Sequence, residues 1–550
     1  MKIRLLLLAS VLGAAVATAA DSAPTATAAR ILERVKVLAS DEFEGRAPGS
    51  PGEEKTVAYL VGEIKKIGLQ PGNPDGTFIQ NAPLVGITST PTLTFTTDGR
   101  MVPMENINEF VGPSSRLVPH VEAKDVGVVF VGYGVVAPEF GWDDYKGVDV
   151  RGKMVVMLIN DPPVTGADGQ LDPKVFGGKA MTYYGRWTYK YETAAAKGAV
   201  GCLIVHETGP ASYPFAVITG SRSRENFEIS APDKNAGHVA MEGWLTLDAA
   251  RKLFTAGGKD YDKLKAAAAR RDFYPVDLGS KASFSVDNVL RNVASKNVAA
   301  LLPGSDPPHC NEYLIYSAHW DHLGRDPRLT GDQIFNGAAD NAAGVATLLE
   351  VAQQMAALPA GQRPKRSVLF LFVTAEEKGL LGSHYYAQDP LYPLTQTVAA
   401  INIDGANQFG PTSDMATIGF GASTIDDVGI AVAAGMGRTM APEAHPETGG
   451  YYRSDHFEFA KVGVPSYYPK SGKNYIGKPA DFAEKQIQDY ITNRYHKVSD
   501  EVQPDWTFEG AAQDTEFYLQ LGLRLANDDK WPEWKPGNEF KARRDAMMRK

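Results

Sequence analysis

The sequence predicts an α/β protein: a central sheet covered by helices, with a strand-rich module set into the chain. Three observations predict it. Continuous apolar runs at 312–317, 367–374 and 398–403 alternate with amphipathic stretches, the pattern of strands buried on both faces. Residues 115–285 instead carry short apolar runs broken by Gly and Pro. The chain, at 550 residues, is longer than one ordinary core supports.

Taken in order, residues 1–20 read MKIRLLLLASVLGAAVATAA. Lys2 and Arg4 precede an apolar run from Leu5 to Val16, and Ala17-Thr18-Ala19 supplies small residues for cleavage, which is the pattern of a secretory signal peptide. The run is short for a membrane span, and no Cys follows it to carry a lipid. The mature protein is therefore expected to be exported, into the periplasm or the medium of a bacterium, with no stable membrane association. Removing Lys2 and Arg4 takes the formal charge from −9 to −11. No basic stripe exists, which argues against a nucleic-acid partner. Cys202 and Cys310 form no CxxC pair and are expected as free thiols, so any metal here is held by His and carboxylates.

Residues 21–29 are Ala/Thr/Ser-rich and expected to be flexible. Ile31, Leu32, Val35 and Leu38 mark a helix from 29 to 38, and Val57, Leu60, Val61, Ile64 and Ile67 mark another from 53 to 67, across a Gly/Pro loop. These belong to a first segment, 21–114. In the module at 115–285, runs at 126–136, 153–159 and 199–205 read as buried strands, with a helix near 193–197. The main domain resumes over 286–530, with helices at 341–358, from 379 and at 510–526, and a charged tail occupies 531–550.

Polar residues fall where these strands end, which is where α/β sheets bind ligands. His319, Asp321 and His322 follow the strand at 312–317. Asp340 and Asn341 open the next helix. Glu376 and Glu377 follow 367–374, Asp404 follows 398–403, and Tyr495-His496-Lys497-Val498-Ser499-Asp500 forms a later loop. Imidazole and carboxylate without thiolate suit zinc in a hydrolytic site. Two His and three carboxylates exceed the needs of one ion and suit two that share a carboxylate. Of two adjacent glutamates, one can bind metal while the other serves as base, and Asp321 is spaced to orient the His319 ring. Each residue also has a plainer role: Glu-Glu can offset a helix dipole, Asp340 can cap a helix, and His496 can be a surface group. Their recurrence at consecutive strand ends is what those roles leave unexplained.

The motifs AHWDH, GAADNAAG, TAEEKGLLGS, NIDG and YHKVSDE, in that order, resemble those of the co-catalytic two-zinc aminopeptidases, a family that also contains the glutamate carboxypeptidases. The segment LASDEFEGRAPGSPGEEKTVAYL looks like the N-terminal signature of exported bacterial members. The resemblance implies an α/β fold with a mixed central sheet flanked by helices, and peptides as substrates. It implies two Zn2+ ions: His319, Asp340 and Asp404 at one, and Asp340, Glu377 and His496 at the other, with Asp340 bridging. It further implies Glu376 as general base, Asp321 as a supporting residue and Tyr495 as an oxyanion contact. Ala339 stands where many relatives have a second Asp. DVRGKMVVMLIN and YETAAAKGAVGCLIVHE are similar to the β-rich protease-associated domain inserted in this family, which implies that 115–285 caps or selects substrate. In the SDH segment, Arg453 is a substrate candidate and Asp455 a pocket-loop candidate. His322 stays open between supporting the site and facing solvent. His384 is expected to pack, and His120, His206, His238, His309 and His445 are expected to be structural or surface groups. An aminopeptidase is the leading expectation. A dipeptidase or glutamate carboxypeptidase-like enzyme is the alternative, since Arg453 could hold a substrate carboxylate, and a non-catalytic receptor-like protein ranks last.

Overall fold

A computed structural model describes residues 23–549, so the signal-peptide segment lies outside the described residues. Strand Tyr313–His319 sits between Ser367–Val373 and Thr397–Asn402 and pairs in parallel with both. Ser466–Ser471 extends this parallel set beside Thr397–Asn402, and Asp414–Ile418 adds an antiparallel strand, giving a mixed sheet. Helices cover both faces. Ala343–Ala356, Glu509–Asn527, Ala23–Leu38 and Pro51–Ile67 bury one face through Leu348, Leu349, Leu521, Ile31 and Leu60. Leu381–Gln388 and His456–Lys461 cover the other through Tyr386 and Phe459.

Two long strands frame the molecule. Ile79–Thr97 pairs antiparallel along its whole length with Val276–Leu302. The end of Val276–Leu302 pairs with Ser367–Val373, while its start pairs with His120–Phe130. The boundary expected near residue 285 therefore falls inside a continuous strand. The inserted module is itself a layered α/β unit. His120–Phe130, Met154–Leu158, Gly201–His206 and Met241–Thr246 run parallel in that order, with Trp187–Ala196 and Leu247–Ala256 packed against them.

Three expectations are corrected. Residues 23–38 are helical where 21–29 was expected to be flexible, because Ala28 and Ile31 bury against the core. The strand expected to reach Val136 stops at Phe130, where Gly132 and Gly134 take left-handed φ values of 58° and 67° and turn the chain. The helix expected from Asn341 begins at Ala343, since Asp340 and Asn341 are non-helical. The charged tail at 531–550 packs on the fold: Trp534 is buried and its indole N–H donates to the Gly463 carbonyl at 2.9 Å.

One buried side chain ties the N-terminal segment to the sheet edge. Arg46 is 1% exposed. It donates from Nε to the Trp320 carbonyl (2.9 Å), from Nη1 to those of Leu38 (2.8 Å) and Asn336 (2.6 Å), and from Nη2 to that of Gly337 (2.9 Å). Burial pulls its guanidinium down to about 10, opposed by the carboxylates of Asp500, Asp321, Asp340 and Glu377. Arg46→Ala removes all four bonds to buried carbonyls and the cation beside these acids, so it should cost about 3–5 kcal/mol in urea unfolding. An unchanged unfolding midpoint would show that these bonds are not made.

Candidate metal centre

The register of the parallel strands assembles the site. His319 pairs with Val373, and Ser317 pairs with both Leu371 and Asn402. Asp404, two residues past Asn402, therefore stands level with His319. Beyond Val373, Ala375 takes a left-handed φ of 52° and turns the chain into the short helix Glu376–Lys378, which presents both glutamates at the same edge. The backbone N–H groups of Glu376 and Glu377 donate to the two carboxylate oxygens of Asp321, at 3.0 and 3.4 Å.

Asp340 lies at the centre. Its Oδ1 is 3.4 Å from His319 Nε2, and its Oδ2 is 3.4 Å from His496 Nε2. His319 Nε2 also lies 3.5 Å from Asp404 Oδ1, and His496 Nε2 lies 3.0 Å from Glu377 Oε2. One ligand atom each from His319, Glu376 and Asp404 falls within 4.8 Å of the others, and so does one each from His322, Asp340 and Glu377. His319 Nε2 is buried with no hydrogen-bond partner, although it faces two carboxylates. A buried imidazole nitrogen without a hydrogen-bond partner, aimed between acidic oxygens, fits a metal ligand.

The surrounding residues hold this geometry. Asn341 donates from Nδ2 to the carbonyls of His319 (3.3 Å) and Ile403 (3.2 Å), and its Oδ1 accepts from Gly344 (3.0 Å) and Gly405 (2.7 Å). Asp500, fully buried, accepts the N–H groups of Ala339 (3.1 Å) and Asp340 (3.2 Å). Ser454 donates to Asp404 Oδ2 at 2.7 Å, and Lys470 Nζ donates to the Asp404 carbonyl. Tyr495 stacks on His496 with ring centroids 3.9 Å apart.

Two geometric expectations change. His319 Nδ1 lies 3.2 Å from the Asp321 backbone carbonyl and 3.7 Å from its carboxylate, so the main chain is the nearer partner of the ring. His322 is fully buried, not solvated, and its Nδ1 sits 2.6 Å from Glu377 Oε1. Asp455 is buried behind the site, where one oxygen accepts the Ser383 hydroxyl at 2.6 Å and burial lifts its carboxyl to about 7. Arg453 lines the open cavity. His120, His206, His238, His309, His384 and His445 enter neither group of ligand atoms.

Burial pushes Glu376 well above the ordinary carboxylate range, and the charges of Glu377, Asp404 and Asp455 add to this while His319 opposes it. Glu376, Asp340 and His496 open onto a cavity of about 950 Å³, whose far wall includes Arg186, Trp187 and Tyr213 of the inserted module.

Sequence reasoning did not find Arg46, Arg186 or Lys470, and it left Asp500 as a loop residue. Each acts on the site from a distant segment, and no local pattern marks it.

Residues 297–519 match Peptidase family M28. The chain carries a Peptidase family M28 domain. Among curated proteins it is 35% identical over 129 residues to the aminopeptidase NAALADL1 of Mus musculus, covering 23% of this chain and 16% of that protein. It is 30% identical over 190 residues to leupeptin-inactivating enzyme 1 of Streptomyces exfoliatus, covering 34% of this chain and 38% of that one. The chain thus spans well under half the length of these curated relatives. Among solved structures, an aminopeptidase from Aneurinibacillus sp. strain AM-1 aligns with a TM-score of 0.49 at 19% identity, covering 94% of this chain and 97% of that one.

Proposed function

We propose that this M28 chain is an exported two-zinc aminopeptidase, hydrolysing the N-terminal bond of peptides with Glu376 as general base. The observation that carries the reading is the division of Asp340: one oxygen faces His319 and the other faces His496. His319, Asp404 and Asp340 would hold one ion, and Glu377, His496 and Asp340 the other. Bound there, the ions supply Lewis acidity toward a peptide carbonyl and lower the pKa of water. The printed name of the mouse relative supports the aminopeptidase choice.

The chain's own residues divide the remaining work. Glu376 opens onto the cavity, takes a proton from the attacking water and passes it to the departing amine. Its raised affinity for protons suits a group that must accept one and then release it. Asp321 holds the backbone of both glutamates, so it fixes which carboxylate points where. His322 occupies one oxygen of Glu377 and leaves the other facing His496. Tyr495 sits over His496, within reach of an oxyanion, and Arg453 contributes to the substrate wall. The module at 115–285 serves as a protease-associated cap, since it forms one side of the cavity. Export rests on the basic, apolar and small-residue order of residues 1–20.

Glu376→Gln should retain its metal while losing at least ~100-fold in kcat on an aminoacyl anilide, the scale of a lost general base. Retention of most activity would remove Glu376 from that role. Metal analysis of Asp340→Ala should show both ions lost together, whereas His319→Ala should lose chiefly one. Equal losses in the two variants would contradict a shared carboxylate.

A further inference from the structure

Three segments distant in sequence meet at a second, smaller cavity of about 170 Å³. Met181 comes to it from the inserted module, Glu443, Tyr451 and Tyr452 from the peptidase domain, and Glu539 and Phe540 from the C-terminal tail. None of the proposed metal ligands lines it. The packing around it fixes all three contributors. The Met181 N–H donates to the Pro446 carbonyl at 3.0 Å, and Asp161 holds the next residue by accepting the Thr182 N–H (2.7 Å) and hydroxyl (2.8 Å). The Tyr183 ring packs on Tyr452 and Phe457, with centroids 5.9 and 5.3 Å away, and Phe540 packs on Trp534 at 5.3 Å.

The chemistry of this cavity is one-sided. Two carboxylates line it, and among the described residues no Lys, Arg or His does. Glu443 Oε1 accepts the Gly419 N–H at 3.2 Å, and Glu539 Oε1 accepts the Tyr452 hydroxyl at 3.1 Å. Among the described residues, no hydrogen bond or ion pair engages the second oxygen of either group. Desolvation lifts both carboxyls above their ordinary range. The charge of Glu447 adds to this at Glu443, where His445 opposes it, and the charge of Glu139 adds at Glu539. Tyr451 is also part of the wall, and its buried hydroxyl has no hydrogen-bond partner. The other walls are aromatic. Tyr451 and Tyr452 meet at 79° with centroids 5.4 Å apart, and Phe540 lies at 19° to Tyr451 with centroids 6.0 Å apart.

Rings set near right angles, a thioether and acidic oxygens together suit an organic cation. Ring faces attract its charge, its methyl or methylene groups pack on rings and sulfur, and carboxylates complete the neutralisation. A bare divalent ion fits less well, because no three His, Cys, Asp or Glu ligand atoms gather here within 4.8 Å among the described residues. We propose that this cavity binds a small organic ammonium ion, held by Glu443 and Glu539 against the rings of Tyr451, Tyr452 and Phe540. At water's share of liquid volume, about 30 Å³, the cavity has room for about five or six non-hydrogen atoms. Glu443 also lines the large cavity, so a cation bound here joins module, peptidase domain and tail beside the substrate space. The proposal is independent of the peptidase reading above.

The ammonium can be quaternary or primary, and the test separates them. Titration calorimetry on the native protein compares tetramethylammonium with tert-butanol, and n-butylammonium with n-butanol, at an ionic strength held constant with NaCl. Each pair matches a cation with a neutral molecule of like size. At least one cation should bind ~10-fold or more tighter than its neutral partner, the scale of cation–π contacts joined to a charge pair. A quaternary ligand shows in the first pair and a primary amine in the second. Glu443→Gln and Glu539→Gln should each weaken that cation by ~5-fold or more, about the worth of one partly exposed charge pair. Both variants keep an oxygen for the Gly419 and Tyr452 donors, so the fold is retained. Absence of binding by either cation, equal binding of cation and neutral partner in both pairs, or a cation preference that persists in both variants overturns the site.

Discussion

Like charges at close range govern this molecule. Asp321, Asp340, Glu376, Glu377 and Asp404 crowd one edge of a buried sheet, and carboxylates so placed repel unless something compensates them. Several devices do so in part. Backbone N–H groups donate to Asp321 and Asp500, His319 and His496 face the acids, and the Arg46 guanidinium lies beneath the edge. His319 Nε2, buried between two carboxylates without a hydrogen-bond partner, marks where the charges converge, and a pair of divalent cations is the completion we propose. The chemistry and the stability of the site thus answer to the same excess of negative charge.

That excess can be held because the frame around it is rigid. Three parallel strands end in register, so residues far apart in sequence arrive at one level. Asn341 and Asp500 then pin the turn carrying Asp340 to two strand ends and to the loop of His496. Ile79–Thr97 and Val276–Leu302 extend the same hydrogen-bonded ladder into the inserted module. The module's Arg186 therefore reaches the cavity from a body continuous with the catalytic sheet.

Much of the site was legible in the sequence, for a physical reason. Strands buried on both faces leave continuous apolar runs, so their ends can be read, and His319, Glu376, Glu377 and Asp404 follow such ends directly. Asp340, at a helix start, and His496, in a loop, were candidates from position alone, and the motifs around them supplied their roles. What stayed hidden depends on folding across long separations. Arg46 looks like one charge in a Gly/Pro loop, yet its partners lie near residues 320 and 337. Arg186 looks like a module residue, and only the tertiary fold brings it to the same cavity as Arg453. His322 could not be placed because burial, which separates a support from a solvated neighbour, is not a property of its local sequence. The boundary near 285 failed likewise, since one strand serves two sheet regions.

The central claim is that Asp340 is shared between two cations. Anomalous diffraction at the zinc edge from crystals of the native protein tests it most directly. The account predicts two peaks flanking the Asp340 carboxylate, one beside His319 and Asp404 and the other beside Glu377 and His496. A single peak, or two peaks of which only one touches Asp340, would contradict it.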